Sequence, residues 1–336
     1  MTYSATGNIQ AIDYNGFIAT TPAGNVNVTW GTAEAGQGYG QGNISTVAVS
    51  DTVTATQWSG MFSTIANMAA HQGTSITSRI PYPVAGNTIF ANAAVATDIA
   101  SCYTNRANAA SVGTQFTGWT GTSSKTSSTG SGAAAWTINW THTLTWANSA
   151  AYYSFFNSGG TVKWFNSKTS TGTVADLAWN AFIGNGGAGG LCAGNVVLTG
   201  SGGSKTINGV TYTGTTKFGG SGTPTTYTTG TGVFGLGTAN TTIFQQFDTG
   251  AAYSSNYVRI NALVNSTSAP TTLTIYTTWF SNGDSNPGST AQINGGTATS
   301  GISFGTAPAV VLTVTPPEST NLSNVWGSTT VVASVA

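Results

Sequence analysis

WTINWTHTLTW, spanning Trp136 to Trp146, is the stretch that decides the fold. Trp136, Ile138, Trp140, His142, Leu144 and Trp146 alternate with Thr137, Asn139, Thr141, Thr143 and Thr145. Successive side chains of a strand point to opposite faces, so a strict period of two predicts a strand with one aromatic face in a core. The threonines then face the other way. A helix would scatter the same residues around its circumference and bury none of them together.

Downstream, SAAYYSFFN (149–157) reads as a short helix closed by Gly159 and Gly160, with a strand from Thr161 to Asn166. Val174, Leu177, Ala178, Ala181 and Phe182 predict a helix over 173–183, stopped by the glycine run at 184–190. Only strands are expected after that. Asn208-Gly209 between Ile207 and Val210 signals a type I′ hairpin, and further runs lie near 225–235, 241–248, 256–264, 272–280, 308–315 and 329–335. Residues 116–336 thus predict a β-sandwich-like antiparallel body with short inserted helices.

Upstream, Trp58, Met61, Phe62, Ile65, Met68 and Ala69 fall at helical spacing, with Thr54 or Thr56 to cap the start and Gly73 to end it. A second helix is expected from Ala91 to Ala107, striped by Val95, Ile99, Cys102 and Tyr103, with Arg106 favourably near its C-terminus. Pro81 and Pro83 separate the two, which makes residues 48–115 a helical hairpin. Residues 1–47 carry Tyr3, Tyr14, Phe17, Trp30 and Tyr39 without a sustained period and read as an extended N-terminal arm. The class is α+β, mainly β. On this division the arm and hairpin attach, the body projects, and the body folds without the arm.

Charge is the scarcest commodity in the chain. Of 336 residues only 5% are charged, eight basic against eight acidic, where an ordinary soluble domain has about 25%. No net field exists to hold a nucleic-acid backbone, so no nucleic-acid partner is expected. No apolar run reaches membrane-spanning length, and the opening MTYSATGNIQAIDYNG lacks a basic segment followed by an apolar one, so neither membrane insertion nor a signal peptide is expected. The eight carboxylates are dispersed, which disfavours paired-carboxylate catalysis. Cys102 and Cys192 stand far apart and read as buried small apolar residues, with a single disulfide as the other reading.

Candidate sites are few. Asn282, Asp284 and Asn286 alternate in the loop SNGDSNPGS (281–289), a spacing that offers oxygens to calcium, but the distal Glu of an EF-type loop is missing and a polar turn is the simpler reading. His71 and His142 have no second ligand at metal spacing and read as structural. No catalytic residue, metal or cofactor is expected. Trp119, Tyr212, Tyr227 and Phe234 sit among Gly, Asn and Thr and could stack on sugars. The helical face of Trp58, Phe62 and Ile65, with Tyr14 and Trp30 of the arm, is the expected oligomer or attachment interface.

Three stretches carry a resemblance: TATQWSGMFSTIANMAAHQGTSITSR (54–79), SAAYYSFFNSGGTVKW (149–164) and GTAPAVVLTVTPPESTNLSNVWG (305–327). They resemble a group of virion structural proteins of tailed bacteriophages, marine ones especially. Val162 and Lys163 match the branched apolar and basic residues that follow the paired glycines in that group, and PPE followed by WG matches its C-terminal part. The loop at 281–289 departs from the Gly-rich, Asp-bearing turn of some relatives. The resemblance implies a non-enzymatic, homo-oligomeric particle component, assembled in the host cytoplasm and exposed on the virion: a neck, collar or tail-associated appendage, a fibre or a surface decoration. Its implied partners are copies of itself and other virion proteins. A carbohydrate- or host-receptor-binding module is the alternative, with host surface glycan as partner.

Overall fold

A computed structural model describes residues 10–20, 24–34, 38–78, 82–85, 93–106, 120–124, 127–128, 136–167, 195–198, 204–207, 210–213, 216–219, 225–226, 236–247, 256–281, 302–303 and 309–335. The expected helix at 173–183, the glycine run after it, Cys192 and the loop beyond Ser281 lie outside them.

The strand at Trp136–Thr145 (β3) forms as its alternation predicts. Ile138, Trp140, His142 and Leu144 are buried, while the Thr and Asn between them keep part of their surface. It lies in a five-stranded antiparallel sheet ordered β10 (Thr241–Phe247), β11 (Tyr257–Val264), β12 (Thr272–Ser281), β3 and β15 (Thr330–Val335). Trp140 of β3 and Trp279 of β12 meet on the buried face with ring centroids 4.9 Å apart. A second antiparallel sheet orders β1 (Thr120–Ser124), β14 (Ala309–Thr315), β4 (Thr161–Ser167), β5 (Asn195–Leu198), β8 (Thr216–Gly219) and β9 (Thr225–Thr226). Two short pairs complete the strands: β2 (Ser127–Ser128) with β13 (Ile302–Ser303), and the hairpin β6 (Ser204–Ile207) with β7 (Val210–Thr213). Ile207 faces Val210 in that hairpin's register, as the Asn-Gly signal predicts. The fold is mixed α+β with mainly antiparallel sheet.

The principal helix, α3 (Ala55–Gln72), is bounded by the residues its sequence names. Thr54 and Gln57 form a capping box, in which the Gln57 N–H donates to Thr54 Oγ1 at 3.3 Å and the Thr54 N–H to Gln57 Oε1 at 2.7 Å. Gly73 closes the helix at φ 67°, a left-handed conformation that glycine adopts without steric cost. Helix α4 (Ala93–Thr104) packs on α3, where Gln72 donates to the Cys102 carbonyl at 2.9 Å. Helix α5 (Ser149–Asn157) is capped by Asn148, whose side chain accepts from the Ala151 N–H.

Residues 1–47 do not form an extended arm where the chain is described. They contain α1 (Ala11–Ile18) and α2 (Val26–Trp30). The α1 stripe of Ala11, Tyr14, Phe17 and Ile18 is buried, and Gln10 and Asp13 cap its start. The segment that follows α2 is held by side-chain amides: Asn15 exchanges two hydrogen bonds with the Val47 backbone at 2.8 and 2.9 Å, and Asn27 two with the Ile44 backbone at 2.9 Å each. These reciprocal pairs copy a strand bridge. One continuous apolar core contains Tyr14, Trp58, Val95, Trp140, Phe155, Val162, Trp279, Leu312 and Trp326, drawn from the helices and both sheets.

Candidate functional site

The segment joining β14 to β15 leaves one sheet, passes the C-terminal end of α3 and enters the other. There the buried polar groups concentrate. Helix α3 places His71 and Gln72 in its last turn, and both are buried. The Glu318 carboxylate, also buried, meets His71 Nδ1 through Oε1 at 2.8 Å. Its two oxygens also accept the Asn321 N–H at 3.1 Å, the Asn321 side-chain amide at 3.2 Å and the Thr320 N–H.

Burial works against the charged form of each partner. For His71 it is the leading effect and pulls the pKa below its ordinary value, against the opposing pull of Glu318. For Glu318 burial raises the pKa, but the donors from His71, Asn321 and Thr320 together outweigh it and hold the carboxyl below its ordinary value. At neutral pH the arrangement is therefore a neutral imidazole donating to a carboxylate.

Tyr39 covers the pair, its ring edge-on to His71 at 4.9 Å. Its hydroxyl donates to the Arg106 carbonyl at 2.9 Å and accepts from Gln72 Nε2 at 2.7 Å. Burial raises the Tyr39 pKa, so the phenol stays protonated. Two residues on, Gln41 donates to the Ser323 carbonyl at 3.0 Å and accepts its N–H at 2.9 Å. Asn157, at the end of α5, donates to the Glu34 and Gly38 carbonyls at 2.7 and 3.0 Å. Gly40 sits against α5 at φ 70°, where a Cβ would strike the Ser154 hydroxyl.

Glu318, His71 and Ser158 have the composition of a hydrolytic triad, and geometry decides against that chemistry. His71 Nε2 approaches the Ser158 main chain without completing a hydrogen bond, and His71 and Ser158 are each 1% exposed. A nucleophile must share space with a substrate carbonyl, and Ser158 is buried. The junction is a clasp that ties α3, the 38–41 loop, the end of α5 and the C-terminal segment together. His142 contrasts with His71: it is 0% exposed, neither ring nitrogen has a hydrogen-bond partner, and burial alone lowers its pKa to about 4.

The expected interface residues lie inside this chain. Tyr14, Trp58, Phe62 and Ile65 are buried, and Trp30 is half-buried against the same core. Tyr14 and Phe17 meet the Trp58 ring edge-on at 5.5 and 6.2 Å, so α1 covers the α3 stripe expected to meet a partner. Of the four expected sugar-stacking aromatics, Trp119, Tyr227 and Phe234 lie outside the described residues, and Tyr212 lies in β7. Sequence spacing missed the clasp, because His71 and Glu318 are 247 positions apart. The PPE segment at 316–318 carries Glu318, but nothing local to it names His71 as the partner.

Among the described residues, no group of His, Cys, Asp and Glu is placed to hold a metal ion, and no helix is long and apolar enough to cross a membrane. No protein-family model, no curated protein and no solved structure matches the chain.

Proposed function

We propose that this chain is a structural, non-enzymatic component of a tailed-bacteriophage virion, acting as an oligomeric neck, collar or tail-associated appendage, a fibre or a surface decoration. The supporting observation is where the resembling stretches meet. Residues 54–79 supply His71 and Gln72, residues 149–164 supply Ser154, Asn157 and Ser158, and residues 305–327 supply Glu318, Asn321 and Ser323. Three stretches dispersed along the sequence build one clasp. On this reading, the stretches that resemble phage structural proteins serve to hold the fold together with almost no charge.

Within that reading the two sheets stack as a β-sandwich. Val310, Leu312, Val314 and Val162 of one and Ile138, Trp140, Ile260 and Ile275 of the other enter the same core. The sheet edges approach each other at both sides, β1 beside β15 and β8 and β9 beside β10. Partners are other copies of the chain and neighbouring virion proteins, and the location is the assembled particle. Since the α3 stripe is filled from within, subunit contacts run through other surfaces, by apolar area and amide or hydroxyl hydrogen bonds. Quantitative mass spectrometry of purified particles tests the proposal. A stoichiometric, reproducible copy number is expected, and its absence from intact particles overturns it.

A further inference from the structure

Both histidines of the chain bear on one stretch of it. His71 holds Glu318, near the start of the segment that joins β14 to β15. His142 lies beside β15, opposite Ala333 in the register of β3 and β15. Between Thr315 and Thr330 no sheet ladder supports the backbone. The segment is anchored instead by the buried side chains of Leu322 and Trp326, by the clasp at Glu318 and by Gln41 at Ser323. The strand that follows is the edge of its sheet, and none of its side chains is more than half-buried.

We infer that residues 316–335 form an acid-released strap, which comes away from the fold as a unit while α3 and the rest of the five-stranded sheet stay folded. Detachment opens three groups to water together: Glu318, His71 and His142. With the strap closed, each resists the proton, because burial pulls both histidines below their ordinary values and the donors around Glu318 hold its carboxyl down. With the strap open, each returns towards its ordinary value and binds the proton more readily, so acid favours the open form. The histidines act as pH falls below 6.5, and Glu318 only below 4.5. All three have the same sign. An imidazolium at His71 would still attract the Glu318 carboxylate, which opposes release, but burial is the larger effect there and Nε2 has no hydrogen-bond partner for a second proton. Tyr39 faces His71 from the 38–41 loop, with Cys102 and Arg106 of α4 beyond it, and the end of α5 presents Ser158. None of these changes charge between pH 7 and 4.5. His142 is flanked by Ile275 and Ala333, and no charged group among the described residues acts on it.

At neutral pH Leu322 and Trp326 keep the strap in the core. Its release bares the edge of β3 that pairs with Thr330–Val335, a row of backbone donors and acceptors left without a strand. The inference is independent of where the chain resides. Hydrogen exchange of the full chain at pH 7, 6, 5 and 4.5, corrected for the intrinsic rate at each pH, tests it. Protection across residues 316–335 is expected to fall by about tenfold or more between pH 7 and 4.5, while β11, β12 and the first turns of α3 keep theirs. His142→Leu and His71→Gln should each flatten that fall. If either variant fails to fold, the pattern of the native chain over the pH series decides alone. Protection lost evenly over all elements, exchange of the strap that is independent of pH, or a fall undiminished in both variants overturns the inference.

Discussion

His142 concentrates the chain's sensitivity to acid. It occupies the middle of β3, between Ile275 of β12 and Ala333 of β15 in the register, with both ring nitrogens unpartnered. An imidazole sealed in an apolar layer binds a proton far less readily than one in water, which is why its pKa falls to about 4. The unfolded chain, with an ordinary histidine near 6.5, takes up the proton first, so stability is lost as pH falls from about 6.5 towards 4. At about 1.4 kcal/mol per pH unit the loss is on the order of 3 kcal/mol. His71, whose pKa is also lowered, acts in the same direction. Urea denaturation of the native chain and of His142→Leu at pH 7, 6, 5 and 4.5 checks this. The native chain should lose stability more steeply, and parallel pH profiles would show that the buried imidazole is not the cause.

At the scale of elements, the segment between β14 and β15 is held by side chains and not by a sheet ladder. Glu318 binds α3, and Gln41 binds the Ser323 backbone from the other side. Glu318→Ala leaves the buried His71 Nδ1 donor without its acceptor and hands the Thr320 and Asn321 N–H groups to solvent, a loss of about 1–3 kcal/mol for the stranded donor. Glu318→Gln keeps one acceptor oxygen and should cost less. Hydrogen exchange locates the effect: protection should fall first across β15 and the last turn of α3, and a uniform loss would contradict the clasp. Helices α3, α4 and α5 were legible because caps and apolar stripes are local signals. Helix α1 was not, since its stripe is only two turns long and interrupted by Asn15-Gly16. Without α1 the α3 stripe reads as unpartnered, which is why its sequence points to an external interface.

Over the whole molecule, one core runs through elements that the sequence divided into arm, hairpin and body. Tyr14 and Phe17 cover Trp58, and Tyr39 and Gln41 hold the end of α3 and the C-terminal segment. Removing residues 1–47 should therefore expose the Trp58 face and remove the hydrogen bonds of Tyr39 to Gln72 and of Gln41 to Ser323, so the truncated chain is expected to lose cooperative unfolding or to melt well below the full chain. Calorimetry of both decides. A truncated chain that melts at the full chain's temperature would restore the arm as a separate unit.

Sequence alone determined what depends on backbone periodicity and local capping: the alternation of β3, the limits of α3 and α5, the 207–210 hairpin and the C-terminal strands. These follow from geometry repeated every few residues, which a single segment displays. Only the tertiary structure decided which apolar stripe covers which, that His71 meets Glu318, and that Asn15, Asn27 and Gln41 pair with distant backbone. The physical reason is that a buried polar group needs a partner of the right kind but of no particular sequence separation. In a chain with so few charges, that partner is most often a neutral amide or a main-chain group, and neither stands out in the sequence until the fold brings the two together.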